Sequence, residues 1–345
     1  MSGLKDLEPF MNSAGVSRMV YAIPWPETRK TREQLWEQKP HRLYTHPCSK
    51  KQDGMHIELG EMFCDWVKPI IRIDRSVFRA FHMTNGSSEA VKEIIAQFAV
   101  DTRCQGSIHV FEGEYEGYEL YAQNYHLNVI KHPRSDQFWH EGPKSENEMF
   151  FISQPSAIDG NVWPELENFL GKLGKTRPKM KVILDIAYLG CTAKQFTINI
   201  GHFGKNVSAI TWSMSKSLGT FYDRIGGVFS TENIPGLYEN IWLKNVVNIE
   251  LGKKLLQNVS SPFEIPEKYS PLQALAINRI KERTGRIIIP SDVILLGYAN
   301  KKPWEFDNVD QVLCRCAEPP TTEPGLGLIR YCLSPTLEQM VNSNH

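Results

Sequence analysis

The residues best suited to chemistry come in an ordered series. Lys216 lies in Ser213-Met214-Ser215-Lys216-Ser217-Leu218-Gly219, eight residues before Arg224. By itself, a lysine in a serine-rich loop is most simply a solvated side chain. About thirty residues upstream, Asp185 closes the apolar run Val182-Ile183-Leu184. A carboxylate at the end of a buried strand is costly without a partner. That end of a parallel sheet is also where ligands bind, with a helix N-cap as the plainer alternative. Further upstream, Gly86-Ser87-Ser88 joins a strand-like run to a helical pattern. Free amides, the positive end of a helix dipole and two hydroxyls there can cradle a phosphate, although Gly-Ser-Ser alone could simply cap a helix. Near the end, Arg330 interrupts the apolar Gly327-Leu328-Ile329-Arg330-Tyr331, and an arginine inside a strand requires a partner.

The elements that must position these groups alternate in type. Residues 1–50 are rich in Pro, Thr, Lys and Arg and lack sustained periodicity, so an extended arm with short helical pieces is expected. Apolar spacing from His56 predicts a helix ended by Pro69. A strand over Val77–Met83 leads into Gly86, and helical period then recurs at Ala90, Val91, Ile94, Ile95 and Phe98. Strand-sized runs follow at Ser107–Phe111, His126–Ile130, Glu148–Ser153, Val182–Ile186, Ala209–Ser213 and Gly226–Phe229. This alternation predicts an α/β fold, a mostly parallel sheet sandwiched by helices. A long helix is expected over about Pro235–Leu256, and another over Pro271–Thr284. Strands at Val293–Gly297 and Leu328–Leu333, with a helical turn or two in Ser334–His345, complete a smaller α+β domain. The expected division is a large domain over 51–255, with 1–50 and 256–345 forming the arm and small domain.

Bulk properties narrow the function classes. The 345 residues are 41% apolar and 23% charged, an ordinary globular composition. Thirty-nine basic residues balance 39 acidic ones without long like-charge runs, which argues against nucleic acid as the partner. No run reaches the roughly 18 apolar residues of a membrane span. No apolar leader stands at the start, so a cytoplasmic protein is expected. Seven cysteines at irregular spacing suggest free thiols rather than a disulfide framework. Cys314 and Cys316 lack a second pair at metal-ligand spacing, so no metal is expected.

The order and spacing from about Thr84 to Leu333 resemble fold-type-I enzymes dependent on pyridoxal 5′-phosphate (PLP), specifically the class I/II aminotransferase family. The resemblance implies that Lys216 forms the Schiff base with PLP and then acts as a base. It implies that Asp185 pairs with the protonated pyridine nitrogen and that Tyr188 bonds the 3′ oxygen. Gly86, Ser87, Ser88, Ser213 and Arg224 would hold the phosphate. Tyr115, in Gly113-Glu114-Tyr115-Glu116-Gly117-Tyr118, resembles the aromatic residue that stacks on the cofactor ring, an ordinary core tyrosine being the alternative. Arg330 would clamp the α-carboxylate of an amino-acid substrate, and a homodimer is implied as well.

One segment departs from that pattern. Where the family has Asn-Pro-x-Asn-Pro-x-Gly, this chain has Gln154-Pro155-Ser156-Ala157-Ile158-Asp159-Gly160. The second Asn, which touches the 3′ oxygen, is Ala157. Tyr188 is therefore expected to hold that oxygen alone, or with Ser156 or Gln154 standing in. Transamination is the first functional reading. Elimination of a β- or γ-substituent, or cyclisation of an arginine-like side chain, is the second. A non-catalytic PLP-binding regulator is the third, and no added DNA-binding segment supports it.

Overall fold

Seven strands carry most of the groups singled out above into one sheet. They are β1 (Ala80–Thr84), β2 (Ser107–Phe111), β3 (Asn128–His132), β4 (Glu148–Ser153), β5 (Lys181–Asp185), β6 (Val207–Ser213) and β7 (Gly226–Ser230), in the spatial order β1-β7-β6-β5-β4-β2-β3. Neighbours from β3 to β6 pair in parallel, whereas β7 runs antiparallel to both β6 and β1. A second sheet has the order β10-β11-β9-β8, all antiparallel, from β8 (Ile289–Pro290), β9 (Leu296–Lys301), β10 (Cys314–Cys316) and β11 (Gly327–Cys332). The computed structural model describes residues 8–21, 23–38, 49–134, 147–203, 205–316 and 325–343.

The main helices, in chain order, are α1 (Glu8–Ala14), α2 (Pro26–Glu37), α3 (Ser49–Val67), α4 (Ser87–Asp101) and α5 (Glu116–Asn124). They continue with α6 (Leu166–Thr176), α7 (Met214–Ser217), α8 (Val246–Asn258), α9 (Glu264–Thr284) and α10 (Ser334–Ser343). Side chains alternate across a strand with period two, and β4 displays the consequence. Met149 and Phe151 join the cluster packed under α4 and α5, whereas Phe150 and Ile152 join the one containing α3, α6 and α8. Helices thus cover both faces of the mostly parallel sheet, as expected.

Several boundaries differ from the sequence expectation, each for a local reason. The helix expected from His56 begins at Ser49, in a polar stretch that carries no apolar period. The first strand begins at Ala80 rather than Val77, because the amides of Val77 and Phe78 close a turn onto the Asp74 carbonyl. The expected strand start at His126 is a turn, with His126 at φ +56°. The single helix expected over Pro235–Leu256 is interrupted: Lys244 is extended, and Asn245 caps a fresh helix by accepting from the Val247 amide. Conversely, α9 runs through Pro271, where a start was expected. The Glu267 carbonyl that Pro271 cannot reach accepts from Ser270 Oγ at 3.3 Å, which offsets the proline's missing donor.

Parts of the arm can be followed. Ser17 bridges to Cys332 on β11. Thr28 Oγ1 donates to the Leu218 carbonyl, and Arg32 pairs with Asp223 at 2.6 Å, so α2 lies against the loop that follows Lys216. The rest of the expected arm, residues 1–7, 22 and 39–48, lies outside the described residues. Among the described residues no helix is long and apolar enough to cross a membrane, and no group of His, Cys, Asp or Glu could hold a metal ion.

Candidate active site at the carboxyl edge of the sheet

The carboxyl ends of β1, β2, β4, β5 and β6 open on one edge, together with the start of the reversed β7. Register fixes this: Ser213 and Thr84 both pair with Gly226, and Asp185 pairs with Thr211 and Ser153. Such an edge is where an open α/β sheet binds its ligand.

The cradle is built from three distant segments. Gly86 precedes α4 with φ +81° and ψ 171°, a conformation open to glycine. A Cβ there would stand 2.9 Å from Arg224 Nη2 and 3.4 Å from Ser213 Oγ, so all three groups meet at one point. Arg224 is itself left-handed at φ +55°, and its Nη2 donates to the Asn85 carbonyl at 2.6 Å. Gly226 lets β7 pass this close, since a Cβ on it would fall 2.6 Å from the Gly86 Cα. Ser87 and Ser88 open α4, and no side chain caps that helix, which leaves its first amides for a ligand. Ser213 caps α7 by accepting from the Ser215 amide at 3.1 Å, and the buried Ser215 Oγ has no hydrogen-bond partner among the described residues. An arginine, free amides and hydroxyls around a gap that only glycine leaves open fit a phosphate.

Lys216 lies beside this cradle. Its Nζ is 5.4 Å from the centre of the Phe221 ring, over which the Arg224 guanidinium also sits at 5.6 Å. Burial lowers the amine to about 8; Arg330 and Arg224 push in the same direction, against Cys332 and Cys191. No carboxylate pairs with it among the described residues. An amine in that condition is a candidate nucleophile and base.

Asp185 is buried at the tip of β5. Its Oδ2 accepts from the Tyr118 hydroxyl at 3.0 Å and its Oδ1 from the Ala187 amide at 3.0 Å. Burial raises the carboxyl to about 6, while Tyr118, Thr211 and the Ala187 amide draw it back down. Two residues of turn then bring Tyr188 to the same edge, where burial raises its phenol to about 12 and Arg330 opposes the shift. Tyr115 precedes α5, with its hydroxyl 3.1 Å from Ser88 Oγ and its ring edge-on to Tyr118 at 5.3 Å. Gly117 gives that ring room, because a Cβ there would lie 2.3 Å from Tyr115 Cε1.

Arg330 on β11 is buried and meets no carboxylate among the described residues; its Nη1 donates to the Ala157 carbonyl. Its side chain therefore belongs to the same electrostatic neighbourhood as Lys216 and Tyr188.

The expected substitutes for the departed Asn both have structural partners. Gln154 is committed at both ends: its Nε2 donates to the Trp163 carbonyl and its Oε1 accepts from the Trp163 amide, each at 3.1 Å. Ser156 Oγ accepts from Arg134 Nη1 at 2.8 Å and from the Ile158 amide at 3.1 Å. Sequence reasoning also missed Glu114, which is buried, hydrogen-bonded to Ser153 and raised by burial to about 7. Its place directly before Tyr115 was the available signal, but a carboxylate in a turn reads as solvated. Tyr118 stood in the same motif without an assigned role.

No protein family's sequence model matches the chain, and the search of curated proteins found no match. Solved structures are similar in fold. The methionine aminotransferase from Escherichia coli superposes with a TM-score of 0.67 at 12% identity, covering 99% of this chain and 96% of that one. The L-threonine-O-3-phosphate decarboxylase from Porphyromonas gingivalis gives 0.60 at 17%, covering 94% and 99%. The PLP-bound C-S lyase from Staphylococcus hominis gives 0.64 at 12%, covering 94% and 89%. The fold is therefore that of the PLP-dependent, aminotransferase-like proteins, fold type I.

Proposed function

We propose that the chain is a PLP-dependent enzyme acting at the Cα of an amino acid, in the first place an aminotransferase passing the amino group to a 2-oxo acid. The observation that carries this reading is the convergence of three groups on one sheet edge: the Gly86–Ser213–Arg224 cradle, the uncompensated amine of Lys216 and the buried Asp185. PLP bound there would supply an electron sink for the pair left when a bond at Cα breaks.

The chain's own residues divide the remaining work. Gly86, Ser87, Ser88, Ser213 and Arg224 hold the phosphate, and Tyr115 offers its ring to the cofactor. Asp185 keeps a proton on the pyridine nitrogen by hydrogen-bonding it as a carboxylate. Tyr188 donates to the 3′ oxygen. Lys216 would anchor the cofactor, and its amine would take the Cα proton at Nζ; its lowered value keeps an appreciable neutral fraction near pH 8. Arg330 binds the substrate carboxylate and so orients the bond to be broken. The reading includes the division at 255/256 into large and small domains, a homodimer, and a cytoplasmic setting that suits the free cysteines among the described residues.

A specific observation favours a second reading. With Ala157 at the position of the Asn, and Gln154 and Ser156 engaged by Trp163 and Arg134, Tyr188 is the one donor this reading assigns to the 3′ oxygen. Elimination, or cyclisation of an arginine-like substrate, then becomes the alternative outcome of the same first steps. The test is a panel of amino acids mixed with the purified holoprotein, followed by cofactor absorbance and product mass. A transaminase needs a 2-oxo acid acceptor for turnover; an eliminase or cyclase does not. Cofactor still attached to Lys216→Ala after borohydride reduction would overturn the lysine assignment.

A further inference from the structure

The roles above leave Glu114 without a task, although it is buried beside Asp185 at the working edge of the sheet. Its hydrogen bonds lead somewhere definite. Glu114 Oε2 accepts from Ser153 Oγ at 2.6 Å, and Oε1 accepts from the Ser153 amide at 3.4 Å. Ser153 Oγ in turn accepts from the Ala157 amide at 2.6 Å. The carbonyl of the same Ala157 receives Nη1 of Arg330. A carboxyl on the loop after β2 is thereby linked, through one hydroxyl and one residue of main chain, to a guanidinium on β11.

Two features make this relay matter. Arg330 has no carboxylate partner among the described residues, so the Ala157 carbonyl is the group that directs its fork. The loop carrying Ala157 has a separate anchor on either side of that residue: Arg134 donates to Ser156 Oγ and to Asp159 Oδ2 at 2.8 and 3.0 Å. Cutting the relay therefore releases the Ala157 amide while the flanking anchors stay in place.

We infer that Glu114 is a positioning residue that, acting through Ser153 and the Ala157 backbone, sets the place of the Arg330 guanidinium and with it the grip on the substrate carboxylate. This rests on the reading of Arg330 as the carboxylate clamp.

The experiment compares Glu114→Ala, Glu114→Gln and Ser153→Ala with the parent. Crystal structures of the variants should find the Arg330 guanidinium displaced by about 1 Å in Glu114→Ala and Ser153→Ala, a shift large enough to cost about a hundredfold in a positioned contact. In the holoprotein, the apparent Kd of the tightest-binding of the twenty common L-amino acids, read from cofactor absorbance, should rise between about tenfold and a hundredfold, the loss of a charged hydrogen bond. PLP affinity should stay unchanged. Glu114→Gln keeps an acceptor for Ser153 Oγ and should restore most of the binding. In an Arg330→Ala background, Glu114→Ala should have no further effect on that Kd, because both act through one group. An undisplaced Arg330, or losses that simply add in the double variant, would overturn the inference. If the parent binds no amino acid, the functional reading fails, and the position of Arg330 still decides the relay. Should Glu114→Ala not fold, Ser153→Ala cuts the same chain of bonds.

Discussion

Replacing Gly86 with alanine strikes the proposed phosphate cradle where it is narrowest. The backbone at φ +81° and ψ 171° lies in a region kept for glycine, so the substitution costs about 1–3 kcal/mol of stability. In a chain larger than 250 residues, each kcal/mol lowers the melting temperature by about 2–4 °C or less, and the variant remains folded at room temperature. The larger effect falls on the ligand. The new methyl would stand 2.9 Å from Arg224 Nη2 and 3.4 Å from Ser213 Oγ. The guanidinium is the softer of the two and must swing away, giving up its 2.6 Å bond to the Asn85 carbonyl as it leaves. Losing one charge-assisted hydrogen bond to phosphate removes about 1.5–3 kcal/mol, which is roughly a tenfold to hundredfold weaker Kd for PLP. The assay titrates the cofactor-free protein with PLP and, in parallel, with pyridoxal, which lacks the phosphate. PLP should weaken by that factor while pyridoxal stays near its parent value. Equal weakening of both would mean general damage to the edge, and an unaffected PLP affinity would mean that the phosphate binds elsewhere.

Three further outcomes follow from the site. Lys216, lowered by burial from 10.5 to about 8, should show half-maximal acetic anhydride labelling near pH 8 in the cofactor-free protein. A midpoint near that of surface lysines would contradict its burial. Asp185 is raised by burial from 3.8 to about 6. A carboxyl with a higher value in the fold favours the fold when protonated, so its contribution is full below about pH 4 and is lost as pH rises through 6. Between pH 4 and pH 7 the cofactor-free parent should therefore lose roughly 2 kcal/mol relative to Asp185→Asn in denaturant titrations. Parallel curves for the two proteins would refute that. Arg330→Ala should raise the KM for the amino acid by roughly tenfold to a hundredfold, the loss of a charged hydrogen bond, and leave PLP binding intact. A matching loss of PLP would assign Arg330 to the scaffold instead.

What could be read from the chain beforehand divides along a physical line. Groups attached to the ends of regular elements were legible: Asp185 at the tip of β5, Gly86 before α4, Ser213 and Arg224 bracketing Lys216. Their placement follows from strand and helix period plus the direction of a parallel sheet, all of which are local signals. The break in the expected helix at Lys244 was not legible, because no proline or glycine falls there. That lysine instead reaches Glu89, 155 residues earlier, at 2.7 Å. Pro271 misled in the other direction, since the serine before it repairs the carbonyl that proline leaves.

The same line bears on the reaction. Gln154 and Ser156 were reasonable stand-ins for the missing donor by spacing alone, but spacing does not say which way a side chain turns. Their partners, Trp163 and Arg134, are 9 and 22 residues away and turn both side chains to structural use. The loop is thus built to hold its own shape and to present main chain, the Ala157 carbonyl, toward Arg330. On the proposed reading, that design keeps Arg330 for substrate orientation and leaves Tyr188 as the assigned donor to the 3′ oxygen. A site with a firm carboxylate grip and a thinly supported 3′ oxygen can still deprotonate Cα. On the proposed reading, the fate of the resulting electron pair would then depend on the substrate's own leaving group as well as on the protein, and for that reason the acceptor-free amino-acid panel separates the two readings.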